Sequence, residues 1–264
     1  NELTHETGNY LVQQWSLYGL KSSTMKVIMQ ILGQCLNKAK KCDHIKENPF
    51  SSIKLPKERK QKIRSLTEKE QEKLETAAIN VGGVRGLPTY LALNTGLRIG
   101  EIAALRWADI DFERNLIHVS HTYQRLALVD GLRKTQLVYD TVKTEAAARL
   151  VPFGTILKKK LLRLKKQSTS QYVFSTNDRP MEPRLLTYYF HQLREAAGIR
   201  DIHFHQLRHT FATRCLEVQG DILSVSAILG HTSTQLTLDT YADSLIEQRM
   251  QVIVQLEKRH QRIN

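Results

Sequence analysis

The sequence predicts a mainly α-helical chain carrying a small antiparallel β-sheet, an α+β fold, and three observations lead there. Apolar residues recur at three- and four-residue spacing through both ends of the chain. Between Asn115 and Phe153 the pattern changes to the two-residue alternation of half-buried strands. Hydrophobic residues make up 41% of the 264 positions, enough to build a core in one large or two medium domains.

Residues 1 to about 50 read as helical. Tyr10, Leu11, Trp15 and Leu17 precede a break at Gly19. A second helix opens near Ser23, a candidate N-cap, and places Met25, Ile28, Met29, Ile31, Leu32, Cys35 and Leu36 at helical spacing, before a basic run halted by Pro49. Lys21, Ser23, Thr24 and Lys26 at that helix start suit a backbone phosphate; a capped, solvated helix end is an equal reading. Ser51 to Arg64 is polar, basic and split by Pro56, which marks a linker. Its Lys57, Arg59 and Lys60 could follow a phosphate backbone or serve solubility alone. The expected organisation is a helical segment over 1–52, a basic linker over 53–65 and a larger domain over 66–264.

That domain opens with Thr67 and Glu70, a capping-box pair starting a helix through Ala78. Leu87 to Leu93 is an apolar helix, Thr95-Gly96 a tight turn, and Ile99 to Leu105 a further helix with Arg98 at its start. Glu101, three residues on, lies on the same face and can orient a neighbouring cation. Asn115 to Tyr123 reads as one strand, Asp130-Gly131 as a hairpin turn, and Thr135 to Val142 and Arg149 to Phe153 as further strands. Gly154 to Lys166 is a basic amphipathic helix with Ile156, Leu157, Leu161, Leu162 and Leu164 inward. A short QYVF strand and a helix over Pro183 to Ala197 follow. Ile246, Met250, Ile253 and Leu256 then mark an amphipathic tail helix.

The formal charge of +13 and pI near 9.7 point to nucleic acid as the partner, with a merely well-solvated surface as the bland alternative. No long apolar run suggests a membrane. Cys35, Cys42 and Cys215 are scattered and odd in number, which argues for a reducing compartment and against a disulfide framework or a zinc site.

Function concentrates between His203 and Tyr241. Two apolar stripes, Thr210 to Val218 and Ile222 to Leu229, are separated by Gly220 and closed by Gly230. Into this frame are set His205, Arg208, His231 and Tyr241. His205 and Arg208 share a helix face, and Tyr241 offers a hydroxyl nucleophile. Fixed cations, imidazoles and a phenol suit phosphoryl transfer with no cofactor and no metal. His205 and His209 stand i, i+4, but position 206 is Gln rather than the Glu of HExxH, so His209 reads as a supporting or core histidine; His203 stays undecided.

HxxR, then LGH, then a tyrosine ten residues later, within LRHTFATR, resembles the signature of the tyrosine recombinases, the phage- and conjugative-transposon-type integrases. TGLRxxEIAxLRWxDID resembles the family's first arginine motif and singles out Arg98 over Arg106. VKTEAAARLVPF is similar to the family's β-turn lysine setting and singles out Lys143, with Lys134 as the fallback. The resemblance covers Thr67 onward well, and residues 1 to 50 look like the closing helices of a core-binding domain. It implies a site-specific recombinase that cuts and rejoins double-stranded DNA at attachment or transposon-end sites. Tyr241 would form a 3′-phosphotyrosyl link, Arg98 and Arg208 would clamp the phosphate, and His205 would relay the tyrosine proton. His231 would donate to a phosphate oxygen, and Lys143 would protonate the leaving oxygen. It also implies a tetramer on DNA joined through the tail helix over 244–258, an accessory directionality factor, and work at the bacterial nucleoid in the cytoplasm. Two departures stand out: Gln206 replaces the usual aspartate, and Asp243 the histidine that often follows the tyrosine. A type IB-like topoisomerase and a non-catalytic basic DNA-binding protein are the alternatives.

Overall fold

The computed structural model describes residues 3–57, 64–128, 135–142, 148–230, 250 and 253–254. The chain divides into two compact units, Asn1–Lys62 and Ile63–Asn264. In the first, Thr4 caps α1 (His5–Leu17) by a reciprocal box with Thr7. The second helix, α2 (Ser22–Lys41), starts one residue before Ser23; the N-cap is Lys21, with no side-chain cap, so Ser23 does not cap it. Instead the Ser22 hydroxyl donates to the Pro56 carbonyl at 2.6 Å, tying the helix start to the segment that leaves this unit. Val12, Met25 and Phe50 form its buried core.

The second unit begins with α3 (Glu68–Val81), whose N-cap Thr67 and N3 residue Glu70 make the expected capping box. Next comes α4 (Gly83–Thr95), in which nine residues from Gly86 to Thr95 are buried. A helix covered on nearly every side must lie at the centre of its domain. Accordingly α4 touches α3, α6 (Thr155–Gln167), α7 (Pro183–Ala196) and α8 (His205–Glu217). Close approach needs a missing side chain: a Cβ on Gly86 would lie 2.0 Å from the Ala78 carbonyl oxygen of α3. At the far end, Gly96 caps α4 in the left-handed conformation at φ 66°. Arg98 then leads into α5 (Ile99–Ala104).

Three small antiparallel sheets follow among the described residues. In the first, β2 (Leu116–Val119) lies between β1 (Ile110–Asp111) and β5 (Arg149–Pro152). In the second, β3 (His121–Ala127) pairs with β4 (Thr135–Thr141), from His121 opposite Thr141 to Ala127 opposite Thr135. The third joins β6 (Ser175–Thr176) to β7 (Arg179–Pro180).

Three further expectations need correction. The single strand read over Asn115 to Tyr123 is two strands in different sheets, parted at Ser120, whose carbonyl accepts from Val142. Alternation runs on through this kink, so periodicity cannot detect it. QYVF is no strand; Tyr172 makes only an isolated bridge with Arg106. In α6 only Leu157, Leu161 and Leu164 are buried, while Ile156 and Leu162 are exposed, because the apolar stripe meets α4 along a narrower seam than five residues require. The Asp130-Gly131 turn lies outside the described residues, as does the tail helix apart from Met250, Ile253 and Val254. Among the described residues no helix is long and apolar enough to cross a membrane.

The last two helices, α8 and α9 (Ile222–Leu229), form a pair with its own small core of Ala212, Leu216, Val225 and Leu229. The segment entering this unit is stitched to one face of α8. Leu66 N–H donates to the Thr210 hydroxyl, Arg64 carbonyl accepts from Gln206, and Arg214 donates to the Leu66 carbonyl. Residues 206, 210 and 214 are successive i, i+4 positions, so one helix face holds the entering segment. A Cβ on Gly96 would lie 2.6 Å from Phe211 Cδ1 and 2.9 Å from Leu229 Cδ2. Gly96→Ala is therefore expected to destabilise the protein by roughly 2 to 4 kcal/mol, through the left-handed backbone and the overpacked α8–α9 contact. Urea unfolding of the variant beside the wild type measures this.

Candidate active site

The site grows from the C-terminal end of α9. A helix leaves its last carbonyls without intrahelical partners, and here the last four of α9 and that of its Gly230 cap are all accounted for. The Gly230 N–H donates to the Ser226 and Ala227 carbonyls, as Gly230 turns left-handed at φ 64°. The Ile228 carbonyl accepts from Arg149 Nε at 2.6 Å, the Leu229 carbonyl from Arg208, and the Gly230 carbonyl from Arg98 at 3.2 Å. Three guanidiniums from β5, α8 and the start of α5 thus converge on three successive carbonyls, where the helix dipole favours cations. The other end is capped by the Asp221 carboxylate, which accepts from the Leu223 and Ser224 N–H groups. An eight-residue helix is marginal alone; these two caps fix it.

The arginines are themselves positioned. Glu101, buried on α5, accepts from Arg98 at its backbone N–H and at NH1, both at 2.8 Å. Its carboxylate also takes a two-pronged pair of bonds from Arg149, each 2.9 Å. Burial alone would raise the Glu101 pKa, but the Arg149 hydrogen bonds and charge, joined by Arg98, hold it below the ordinary carboxylate value. Arg149 and Glu101 are shielded, with side chains 6% and 4% exposed, whereas Arg98 is 38% exposed and reaches solvent. Arg208, 4% exposed, donates also to the Gly96 carbonyl at 3.0 Å. That bond uses the carbonyl at the α4 C-cap, so the central helix fixes the second cation.

His205 is the first residue of α8 and is exposed. Partial desolvation by surrounding protein, then the Arg208 and Arg98 charges, lower its pKa, so the imidazole is neutral near pH 7 and can accept a proton. Its ring meets His209 edge to face, with centroids 5.1 Å apart. Burial, then His205 and Arg208, push His209 down to about 4. At the entry of α8, the Gln206 side-chain oxygen accepts from the His203 N–H at 2.6 Å, which caps the turn that leads into His205.

The structure therefore brings together Arg98, Glu101, His205, Arg208 and His209. Lys143, Lys134, His231 and Tyr241 lie outside the described residues. In the first unit Lys21, Ser23, Thr24, Lys26 and Lys57 are all exposed, while Arg59 and Lys60 lie outside the described residues. Arg106 is engaged elsewhere, paired with Asp109. Sequence reasoning missed Arg149. Its signal was present, since the RLVP run carries it three residues before Pro152, but a strand-edge arginine reads as solvent-facing until Glu101 and α9 are seen around it.

Residues 55–248 match the sequence profile of the Phage integrase family. A tyrosine recombinase XerC-like protein of Caldanaerobacter subterraneus subsp. tengcongensis is 27% identical over 270 residues, spanning 93% of this chain and 67% of the relative. The ICEBs1 integrase of Bacillus subtilis is 26% identical over 236 residues, covering 84% of this chain and 62% of that protein. The chain thus spans about two thirds of the length of these relatives. A solved structure of the Tn1549 transposon integrase with a circular intermediate DNA superposes with a TM-score of 0.80 at 22% identity, covering 95% of this chain and 86% of that one.

Neutral His209 gives the site a definite acid response. A histidine whose folded pKa lies below its unfolded value binds fewer protons when folded, so its stabilising contribution is present above the unfolded value and lost as pH falls. Stability should decline as pH drops from about 6.5 towards 4, with His209 adding up to roughly 1.4 kcal/mol per pH unit to the slope. Unfolding curves across this range for the wild type and His209→Gln should show a shallower decline in the variant.

Proposed function

The chain belongs to the phage integrase family, the tyrosine recombinases, and on that footing we propose that it is a site-specific DNA recombinase of a mobile element. It cuts and rejoins strands through a 3′-phosphotyrosyl intermediate. The observation that carries this reading is the pair of arginines, Arg98 and Arg208, anchored to one helix end beside a neutral His205. Guanidinium supplies a planar fork of donors suited to the non-bridging oxygens of a phosphodiester. Charge that develops on the pentavalent phosphorus meets cations already in place, so little reorganisation is needed.

In this reading the Tyr241 hydroxyl loses its proton to His205, directly or by relay, and its oxygen bonds to phosphorus. The bond from phosphorus to the 5′-oxygen breaks, and Lys143 supplies the proton that the leaving oxygen needs. His231 donates to a phosphate oxygen. The reverse step, with a hydroxyl from another strand, restores the tyrosine. The phosphoester bond energy is retained in the covalent link, so no nucleotide cofactor enters the balance. Residues 1–52 would serve as the core-binding segment, with Lys21, Ser23, Thr24 and Lys26 on the backbone. The basic linker with Lys57, Arg59 and Lys60 would follow the duplex. The tail over 244–258 would join protomers in a tetramer, an accessory factor would set direction, and the work would take place on the bacterial nucleoid. The net charge of +13 supports the duplex as substrate.

Incubation with a nicked suicide duplex bearing candidate attachment sites tests this reading. The wild type should give an SDS-resistant protein–DNA band, and Tyr241→Phe none. Arg208→Ala should slow its formation by roughly 100- to 1000-fold, the usual cost of one preorganised oxyanion donor. DNA binding without any covalent band would favour a non-catalytic binder; relaxation of supercoils by a monomer would favour a topoisomerase.

A further inference from the structure

Arg149 occupies a position that joins two parts of the site, and we propose that it is a positioning residue for strand cleavage. The inference rests on the recombinase reading above. Its guanidinium is used on both edges: NH1 and NH2 grip the Glu101 carboxylate at 2.9 Å, and Nε holds the Ile228 carbonyl at 2.6 Å. Glu101 in turn orients Arg98, and Ile228 lies three positions before His231 in the chain. One planar group therefore sets the distance between the clamp arginine at the start of α5 and the end of α9. Arg149 touches no substrate in this scheme; it acts through its neighbours.

A purely structural role would require only that a cation neutralise buried Glu101. Positioning requires the fork, because a lysine ammonium is a point donor on a flexible stem and cannot hold a carboxylate and a carbonyl at fixed separation. The two roles separate in Arg149→Lys. This variant keeps the charge against Glu101, so thermal stability and the Kd for duplex DNA should stay near the wild type. Hydrogen exchange in a peptide spanning α9 should become faster. Covalent adduct formation at saturating suicide duplex should slow by roughly ten- to a hundredfold, the scale expected when reacting groups shift by a fraction of an ångström up to one ångström.

Unchanged exchange at α9 overturns the proposal, as does faster exchange with an unchanged cleavage rate. Should Arg149→Lys fail to fold, Glu101→Gln/Arg149→Met compared with Glu101→Gln alone makes the same comparison with no buried charge left. The double variant should then exchange faster at α9 and cleave more slowly than the single one; equality in either overturns the proposal. If the wild type itself forms no adduct, the recombinase reading fails on its own account. The cleavage role of Arg149 falls with it, and exchange alone reports whether Arg149 holds α9.

Discussion

Everything in the candidate site depends on how the last turn of α9 is held. Its final carbonyls would be a liability if left unpaired in the protein, since a buried acceptor without a donor costs about 1 to 3 kcal/mol. Three arginines remove that cost and gain positions by doing so. Arg149, Arg208 and Arg98 come from sequence positions far apart, and the helix end is the point at which they meet. The bonds work in both directions: the cations fix α9, and α9 fixes the cations. A short helix that contributes little core of its own becomes the reference frame for the charged groups.

That frame is tied in turn to the centre of the domain. Arg208 reaches the Gly96 carbonyl at the end of the buried helix α4, and Gly96 leaves room for Phe211 and Leu229 at the same spot. The turn after α4 delivers Arg98 two residues later, already as the N-cap of α5, where Glu101 binds both its N–H and its guanidinium. Packing around a glycine thus sets the spacing between Arg98 and Arg208. The β2–β5 pairing adds the third cation, because the register that places Val119 opposite Arg149 also turns Arg149 towards Glu101.

Much of this was legible in the sequence, and the boundary has a physical cause. Local rules read local features well. The Thr67–Glu70 capping box, the Thr95-Gly96 turn and the break at Gly220 each depend on a few neighbouring residues, and the helices they bound appear where expected. Arg98, His205 and Arg208 were singled out by motif spacing, a signal that does not need the fold. What escaped was decided across the chain. Ser120 parts two strands because their partners differ, and alternation is blind to partners. Ile156 and Leu162 are exposed because α4 offers a narrow seam. Arg149 was overlooked because its meaning lies in Glu101 and Ile228, 48 and 79 positions away.

The choice of partners explains how a cluster of like charges can persist and still act. A carboxylate neutralises the guanidinium it orients, whereas a carbonyl orients through its dipole and leaves the charge in place. The bonds from Arg208 to Gly96 and Leu229 are of the second kind, and Arg98 divides its donors between Glu101 and Gly230. Glu101 offsets part of the repulsion among the three cations from a buried position, leaving the exposed edge of Arg98 positive. Desolvation by the surrounding protein, then the Arg208 and Arg98 charges, lower the His205 pKa, since a proton there would add one more cation in a partly desolvated place. On the proposed reading, an incoming phosphodiester would relieve that repulsion while a neutral imidazole would be ready to take a proton. Binding the anion and activating the nucleophile would then be consequences of one arrangement: cations oriented by carbonyls at the end of a helix.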